Sequence, residues 1–150
     1  MTYAQEQREV FWKLFEKILK EKGEPFKIAY IHQIRKEITS FAAVNRFGSF
    51  NANALDLSFL IREKKFRVNL YISKPSLIKK FMDSKEDVNN MISSAISWDN
   101  GKMVLRPSVY FDFIPGDKED YQLVIEESLQ TIIEFIEVAN KYGKQDFFDF

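Results

Sequence analysis

The sequence of 150 residues contains no cysteine and one histidine, His32. Without cysteine the chain forms no disulfide and offers neither a thiolate nucleophile nor a cysteine-ligated zinc or iron–sulfur centre. A lone histidine with no obvious partner argues against a Ser-His-Asp triad and against zinc sites built from histidine pairs. We therefore predict no catalytic residue and no cofactor.

Long apolar runs and an excess of either charge are also missing. No stretch approaches the ~18 consecutive apolar residues of a membrane span, and the start, MTYAQEQREVFW, does not have the positive and then apolar pattern of a secretory signal. Lysine plus arginine number 22 and so do aspartate plus glutamate, so no net field draws the chain to nucleic acid or an anionic membrane. We expect a cytoplasmic protein with no membrane partner.

Phenylalanine, by contrast, is abundant, with 15 residues that a core or a partner must absorb. The length is close to the commonest domain size, and the chain shows no internal repeat or linker. The length and the lack of a linker therefore predict that residues 1–150 form a single domain.

Hydrophobic periodicity predicts an α+β domain. Apolar residues recur every three or four positions over residues 5–22, after Pro75 and over residues 117–143, which is typical of amphipathic helices. They alternate over residues 53–73, which is typical of two strands, and the run VLRPSVYFDF predicts another strand. This order predicts an antiparallel sheet with a long central hairpin, packed by N-terminal, middle and C-terminal helices.

The sequence leaves alternatives open at several places between and within these elements. Residues 25–45 have helical spacing, with a loop or a short strand as alternatives, and the stretch after Pro75 fits one bent helix or two. The pair Asn100-Gly101 predicts a tight turn because both residues tolerate positive φ angles. Pro107 predicts a strand at a sheet edge or a bulge, since proline cannot donate to the ladder.

The central hairpin has a register that places every large apolar side chain except Leu60 on one face. In this register, which turns at Lys64-Lys65, the predicted partners are Ile61 with Val68, Phe59 with Leu70 and Leu57 with Ile72.

A series of motifs resembles a bacterial family known as the domain of unknown function 4268. The motifs are FWKLFEKILKEKG, the Gly48 region leading to VNLYIS, the helix after it, SWDNGK, and IEESLQTIIEFIEVANKYGKQ. None of them is catalytic. In that family the domain often follows a nuclease-like region, so the resemblance implies a setting in restriction or defence systems. Here the chain begins at the family's first helix, and it departs from the family pattern over residues 32–46.

Glu63, Lys64 and Lys65, with Asp56 upstream, have the residue types of a metal-dependent nuclease. Such a site needs two carboxylates within about 2.1 Å of one Mg²⁺. In the predicted register Asp56 lies opposite Ser73, roughly 23 Å along the strand from Glu63 at roughly 3.3 Å per residue. An odd spacing also points the two acids to opposite faces. We therefore predict a charged, solvated turn and no metal site.

The acidic residues Asp112, Asp117, Glu119 and Asp120 fit no calcium loop. Capping of the following helix explains the aspartates.

Two groups of residues are candidates for binding. The outer face of the hairpin combines cations, an amide and an aromatic ring that could follow a nucleic-acid backbone, namely Arg62, Lys64, Lys65, Arg67, Asn69 and Tyr71. The alternative is a solvated face or one covered by a helix. The rings of Phe147, Phe148 and Phe150 are candidates for docking on a protein partner or a second copy, with folding back onto their own domain as the alternative.

From these observations we expect a non-enzymatic interaction module of a bacterial or phage cell, as an accessory part of a restriction or defence-related system. Its partner is expected to be a protein or a second copy of the chain. Nucleic-acid binding through the hairpin face is the alternative, and a metal-dependent nuclease or other hydrolase is the second alternative.

Overall fold

The computed structural model describes residues 2–22, 53–101 and 103–147, of which residues 144–146 as main chain alone, together with the main chain of residues 44–48. Within these ranges lie four helices and five strands. In chain order they are α1 (Tyr3–Lys22), β1 (Val44–Gly48), β2 (Ala54–Leu60), β3 (Lys65–Tyr71), α2 (Pro75–Asp83), α3 (Lys85–Met91), β4 (Ser97–Gly101), β5 (Val104–Asp112) and α4 (Lys118–Phe147).

The strands form one antiparallel sheet in the order β1-β2-β3-β5-β4. α1 packs against α4, and α4 packs against β2, β3 and β5 on one face of the sheet. The predicted α+β fold with an antiparallel sheet and packed helices is confirmed.

Phe11 of α1 is the centre of the core between the helices and the sheet. Its ring stacks on Phe59 of β2 at 4.4 Å between centroids and lies 5.0 Å from Phe66 of β3. Tyr121 of α4 meets Phe11 edge to face at 5.6 Å. All four rings are almost completely buried, so this cluster absorbs much of the aromatic load and fixes α1 on the sheet.

The central hairpin has the predicted faces but not the predicted pairs. Leu57 lies opposite Val68 and Phe59 lies opposite Phe66. The turn covers residues 61–64, and Lys64 takes a left-handed conformation with φ 57°. The turn is therefore centred two residues earlier than predicted. Because this displaces the partners by an even number of residues, the same side chains still face the core.

The predicted turn at Asn100-Gly101 is wrong, since both residues belong to β4. Gly101 pairs with Val104, and Met103 in the turn between them takes a left-handed conformation, with φ 64°. The longer strand lets Trp98 pair with Pro107, which a turn at Asn100-Gly101 would prevent.

Pro107 was predicted at an edge or a bulge, and it is at neither. β5 lies between β3 and β4. The ladder from β5 to β3 is interrupted at Pro107 and resumes at Leu105 opposite Ile72 without a change of register, so no residue is inserted. The main-chain bonds of Ile72 with Leu105, at 3.0 and 2.9 Å, show that the nitrogen of Pro107, two residues along, faces β3. Because proline has no N–H, one hydrogen bond between β5 and β3 is missing at this position, which we call the empty rung.

The remaining helices partly follow the predictions. The stretch after Pro75 forms two helices, α2 and α3, with Ser84 between them. Gly143 kinks α4 and does not end it. Of residues 25–45 the structure describes the last two, which begin β1, and the others lie outside the described residues.

Tyr121 joins three parts of the fold through its hydroxyl. The hydroxyl donates to Gln7 Oε1 of α1 at 2.7 Å and accepts from the main-chain N–H of Gly116 at 2.7 Å. Burial raises the pKa of Tyr121, because the phenolate would lose its hydration.

Replacing Tyr121 with phenylalanine is expected to lower the free energy of unfolding by about 1–2 kcal/mol at neutral pH, because the half-buried Gln7 and the N–H of the exposed Gly116 both lose a hydrogen-bond partner. The raised pKa adds a pH dependence. The stability due to the protonated hydroxyl is complete below the pKa of about 10 of the unfolded chain and is lost as the pH rises through the higher pKa of the folded state.

The difference in stability between wild type and Tyr121→Phe should therefore shrink above pH about 10. Urea denaturation of both proteins from neutral to alkaline pH measures this difference. A constant or growing difference would show that the Tyr121 hydroxyl does not have the environment described.

Candidate functional site

The hairpin residues predicted to bind nucleic acid do not share one open surface. Arg62 and Lys64 are exposed in the turn between β2 and β3. Lys65 forms an ion pair with Asp112 at 2.6 Å between Nζ and Oδ1. The side chain of Asn69 is fully buried.

The sheet face turned away from α1 and α4, the polar face, carries hydrophilic side chains on four strands. Its hydrophilic residues in the described strands are Asp56, Ser58, Lys65, Arg67, Asn69, Tyr71, Ser97, Asp99, Arg106, Ser108, Tyr110 and Asp112. Ser58, Arg67 and Tyr110 are neighbours across β2, β3 and β5. Arg67 Nη2 donates to Ser58 Oγ at 3.2 Å, and the ring of Tyr71 lies 5.4 Å from Arg106 Cζ. Arg67 and Tyr71 thus have partners within the sheet.

Asp99 of β4 is held by two hydroxyl donors. Ser97 donates to its Oδ1 at 2.7 Å and Tyr110 donates to its Oδ2 at 2.7 Å. Burial raises the pKa of the Asp99 carboxyl, but hydrogen bonds from neighbouring hydroxyls outweigh this effect, so the pKa lies below its ordinary value. Burial and the bond to Asp99 raise the pKa of Tyr110. An ionised carboxylate and a neutral phenol therefore tie β4 to β5 at neutral pH.

Trp98 anchors β4 on the opposite face of the sheet. Its indole Nε1 donates to Asn89 Oδ1 of α3 at 2.8 Å. Lys85 Nζ, also on α3, lies 5.5 Å from the centre of the ring. β4 is thus held in place by side-chain contacts on both faces.

β4 is an edge strand, and its hydrogen-bonding directions follow from those of β5. Main-chain groups of successive residues point to opposite sides of a strand. Since Leu105 and Pro107 face β3, Arg106 faces β4 and pairs with Asp99. The N–H and C=O groups of Trp98 and Asn100 therefore point away from the sheet. Within the described residues, no main-chain hydrogen bond of either residue occupies these outward groups.

The side chain of Asn69 supplies the hydrogen bond that is missing at Pro107. Its Nδ2 donates to the main-chain oxygen of Leu70 at 3.1 Å. That oxygen lies where the N–H of residue 107 would donate if the residue were not proline. In the described part of the chain Asn69 Oδ1 has no hydrogen-bond partner. The amide predicted to contact nucleic acid therefore has a structural role.

The two carboxylates considered for a nuclease site have different environments. Asp56 lies in the middle of β2 and is 4% exposed, whereas Glu63 is exposed in the turn. Asp56 lies opposite Asn69 and not opposite Ser73 as predicted. Among the residues that the structure describes, no three potential metal-ligating side chains come together.

The other acidic candidates have structural partners. Asp117 Oδ1 accepts from the main-chain N–H of Asp120 at 3.1 Å, and Asp120 accepts from the N–H of Ile114. The bond to the N–H of Asp120 caps the start of α4, as predicted for Asp117. Asp112 does not cap the helix, because it pairs with Lys65.

Of the three rings of the C-terminal tail, Phe147 is fully buried and lies 6.2 Å from Phe81. It therefore folds back onto its own domain and is not available on the surface. Phe148 and Phe150 lie outside the described residues, as does His32.

Sequence reasoning missed the residues that shape the edge, namely Trp98, Asp99 and Asn100. The pair Asn100-Gly101 suggested a turn and so concealed the strand to which both residues belong. Trp98 is the only large apolar residue of β4, so no alternation of apolar and polar residues indicates this strand.

No protein-family model matches the chain, and no curated protein does. Among solved structures the chain is similar to the crystal structure of YbjN, a proposed transcription regulator from E. coli, with 13% sequence identity and a TM-score of 0.44. The similarity covers 65% of this chain and 76% of YbjN. No helix among the described residues is long and apolar enough to cross a membrane.

The role of Asn69 predicts a coupling with Pro107. Asn69→Ala is expected to lower the free energy of unfolding by about 1–2 kcal/mol, because the oxygen of Leu70 loses its donor. In a Pro107→Ala background the restored N–H can donate to this oxygen, so the same substitution should cost about 1 kcal/mol less. Urea denaturation of the four proteins gives this coupling free energy.

The loss of packing around Asn69 occurs in both backgrounds and cancels in the comparison. If Asn69→Ala has the same cost with proline and with alanine at position 107, the side chain does not replace the missing donor.

Proposed function

We propose that the protein is a non-enzymatic interaction module that binds an extended segment of a partner protein as an additional strand along β4. The observation that carries this proposal is the pair of outward-facing residues, Trp98 and Asn100. Each offers one main-chain donor and one acceptor at a sheet edge. An extended peptide can satisfy all four groups by strand addition.

The anchoring of β4 favours such binding. The Asp99 contacts with Ser97 and Tyr110 and the Trp98 contact with Asn89 already hold the strand in its extended form. A partner therefore does not have to order the strand, which lowers the entropic cost of association.

The edge also has features that limit indiscriminate pairing. β4 has five residues and carries a charged side chain, Asp99, at its centre. Short strands and charges are common protections of sheet edges against aggregation. A partner segment must therefore accommodate Asp99, and this requirement favours a selective partner.

The cellular setting of this module stays a prediction from the family resemblance, which places it with restriction or defence systems. Nucleic-acid binding through the hairpin is less favoured because the ion pair of Lys65 and the contacts of Arg67 already occupy these two cations.

A selection of random short peptides against the immobilised full chain tests the proposal. We expect extended peptides to be enriched and their affinity to fall about tenfold or more in Asn100→Pro, because proline removes an outward N–H and hinders the approaching strand. Asn100→Ala keeps that N–H and is the matched control, with affinity close to that of wild type.

Equal peptide binding by wild type and Asn100→Pro would refute strand addition at β4. Dimers that dissociate in Asn100→Pro would show, by sedimentation, that a second copy occupies the edge instead of a foreign segment.

A further inference from the structure

Arg106 is a half-buried residue of β5 beside the edge strand β4. Its Cζ lies 5.4 Å from the centre of the Tyr71 ring, a cation–π contact that orients the side chain. Within the described residues the guanidinium has neither an ion pair nor a hydrogen bond. A guanidinium that makes no ion pair among the described residues is available to a carboxylate of a partner.

Gly101 leaves the path from the edge to Arg106 open. A Cβ atom placed on Gly101 would lie 3.9 Å from Arg106 Nη1, so the guanidinium is beside the position where a side chain would stand. Glycine within a strand often marks a place where another chain or a ligand approaches closely. Here the missing side chain gives an incoming strand access to a cation.

The other charges near the edge do not take this place. Asp99 is directly opposite Arg106 in register, but its oxygens accept from Ser97 and Tyr110. Lys85 lies by Trp98 on the other face of the sheet.

We infer that the partner segment presents a carboxylate side chain to Arg106 across Gly101. This inference rests on the proposed strand addition and specifies the chemistry of the partner. On an added strand, the residue opposite Gly101 projects toward the polar face, as Arg106 does. Arginine binds a carboxylate with two parallel hydrogen bonds, so an acidic residue satisfies the guanidinium better than a neutral one.

Two blocked synthetic peptides test this inference, Thr-Val-Thr-Glu-Thr-Val-Thr and the same peptide with glutamine in place of glutamate. NMR titration of the full chain follows the Asn100 and Gly101 amides and the Nε–H of Arg106. We expect the glutamate peptide to bind about tenfold more tightly and to shift the Arg106 signal, because of the charge-assisted pair.

The preference for glutamate should disappear in Arg106→Gln. Gly101→Val should also reduce it, since the larger side chain covers the guanidinium. Gly101→Ala is the matched control, because the added Cβ meets its neighbours at 3.8–3.9 Å, an ordinary contact distance. It should keep most of the preference.

The outcomes separate the two proposals. If both peptides bind equally and both are lost in Asn100→Pro, strand addition holds and the carboxylate inference is wrong. If neither peptide binds, the carboxylate inference is wrong, and the selection of random peptides alone decides on strand addition. If Asn100→Pro leaves peptide binding unchanged, strand addition at β4 fails and the inference falls with it. A glutamate preference that persists in Arg106→Gln also overturns the inference.

Discussion

The alternation of main-chain hydrogen bonds along β5 is the constraint on which the rest of the structure depends. Because Leu105 and Pro107 turn their main-chain groups toward β3, Arg106 turns toward β4. The same alternation explains both the empty rung that Asn69 fills and the outward groups at the sheet edge. The direction of the main-chain groups of β5 thus determines both the missing hydrogen bond at Pro107 and the outward-facing groups of β4.

The rest of the fold holds this edge in position. The ring of Phe11 fixes α1 over the hairpin, and α4 covers the central strands. Glu134 of α4 accepts from the N–H and the hydroxyl of Ser93, at 3.1 and 2.8 Å, and so fixes the connection that leads into β4. The edge strand is therefore supported from its preceding loop as well as by its side chains.

The sequence predicted the faces of the elements better than their ends. Alternation of Leu57 and Phe59 shows which side is buried, because burial has the period of the strand. It does not fix the turn, since the register can slip by an even number of residues without exposing the core. Pro107 was misplaced because its missing donor is replaced by Asn69, and a contact between side chain and ladder leaves no periodic signal. The edge itself depends on strand order, which local pattern does not determine.

Amide hydrogen exchange of the free protein, followed residue by residue by NMR, tests the hydrogen-bond phase most directly. The amides of Trp98 and Asn100 should exchange rapidly, whereas the amide of Asp99 between them should be protected by its bond to β5. Protection of Trp98 and Asn100 together with rapid exchange of Asp99 would contradict the account, because the outward groups would then belong to different residues.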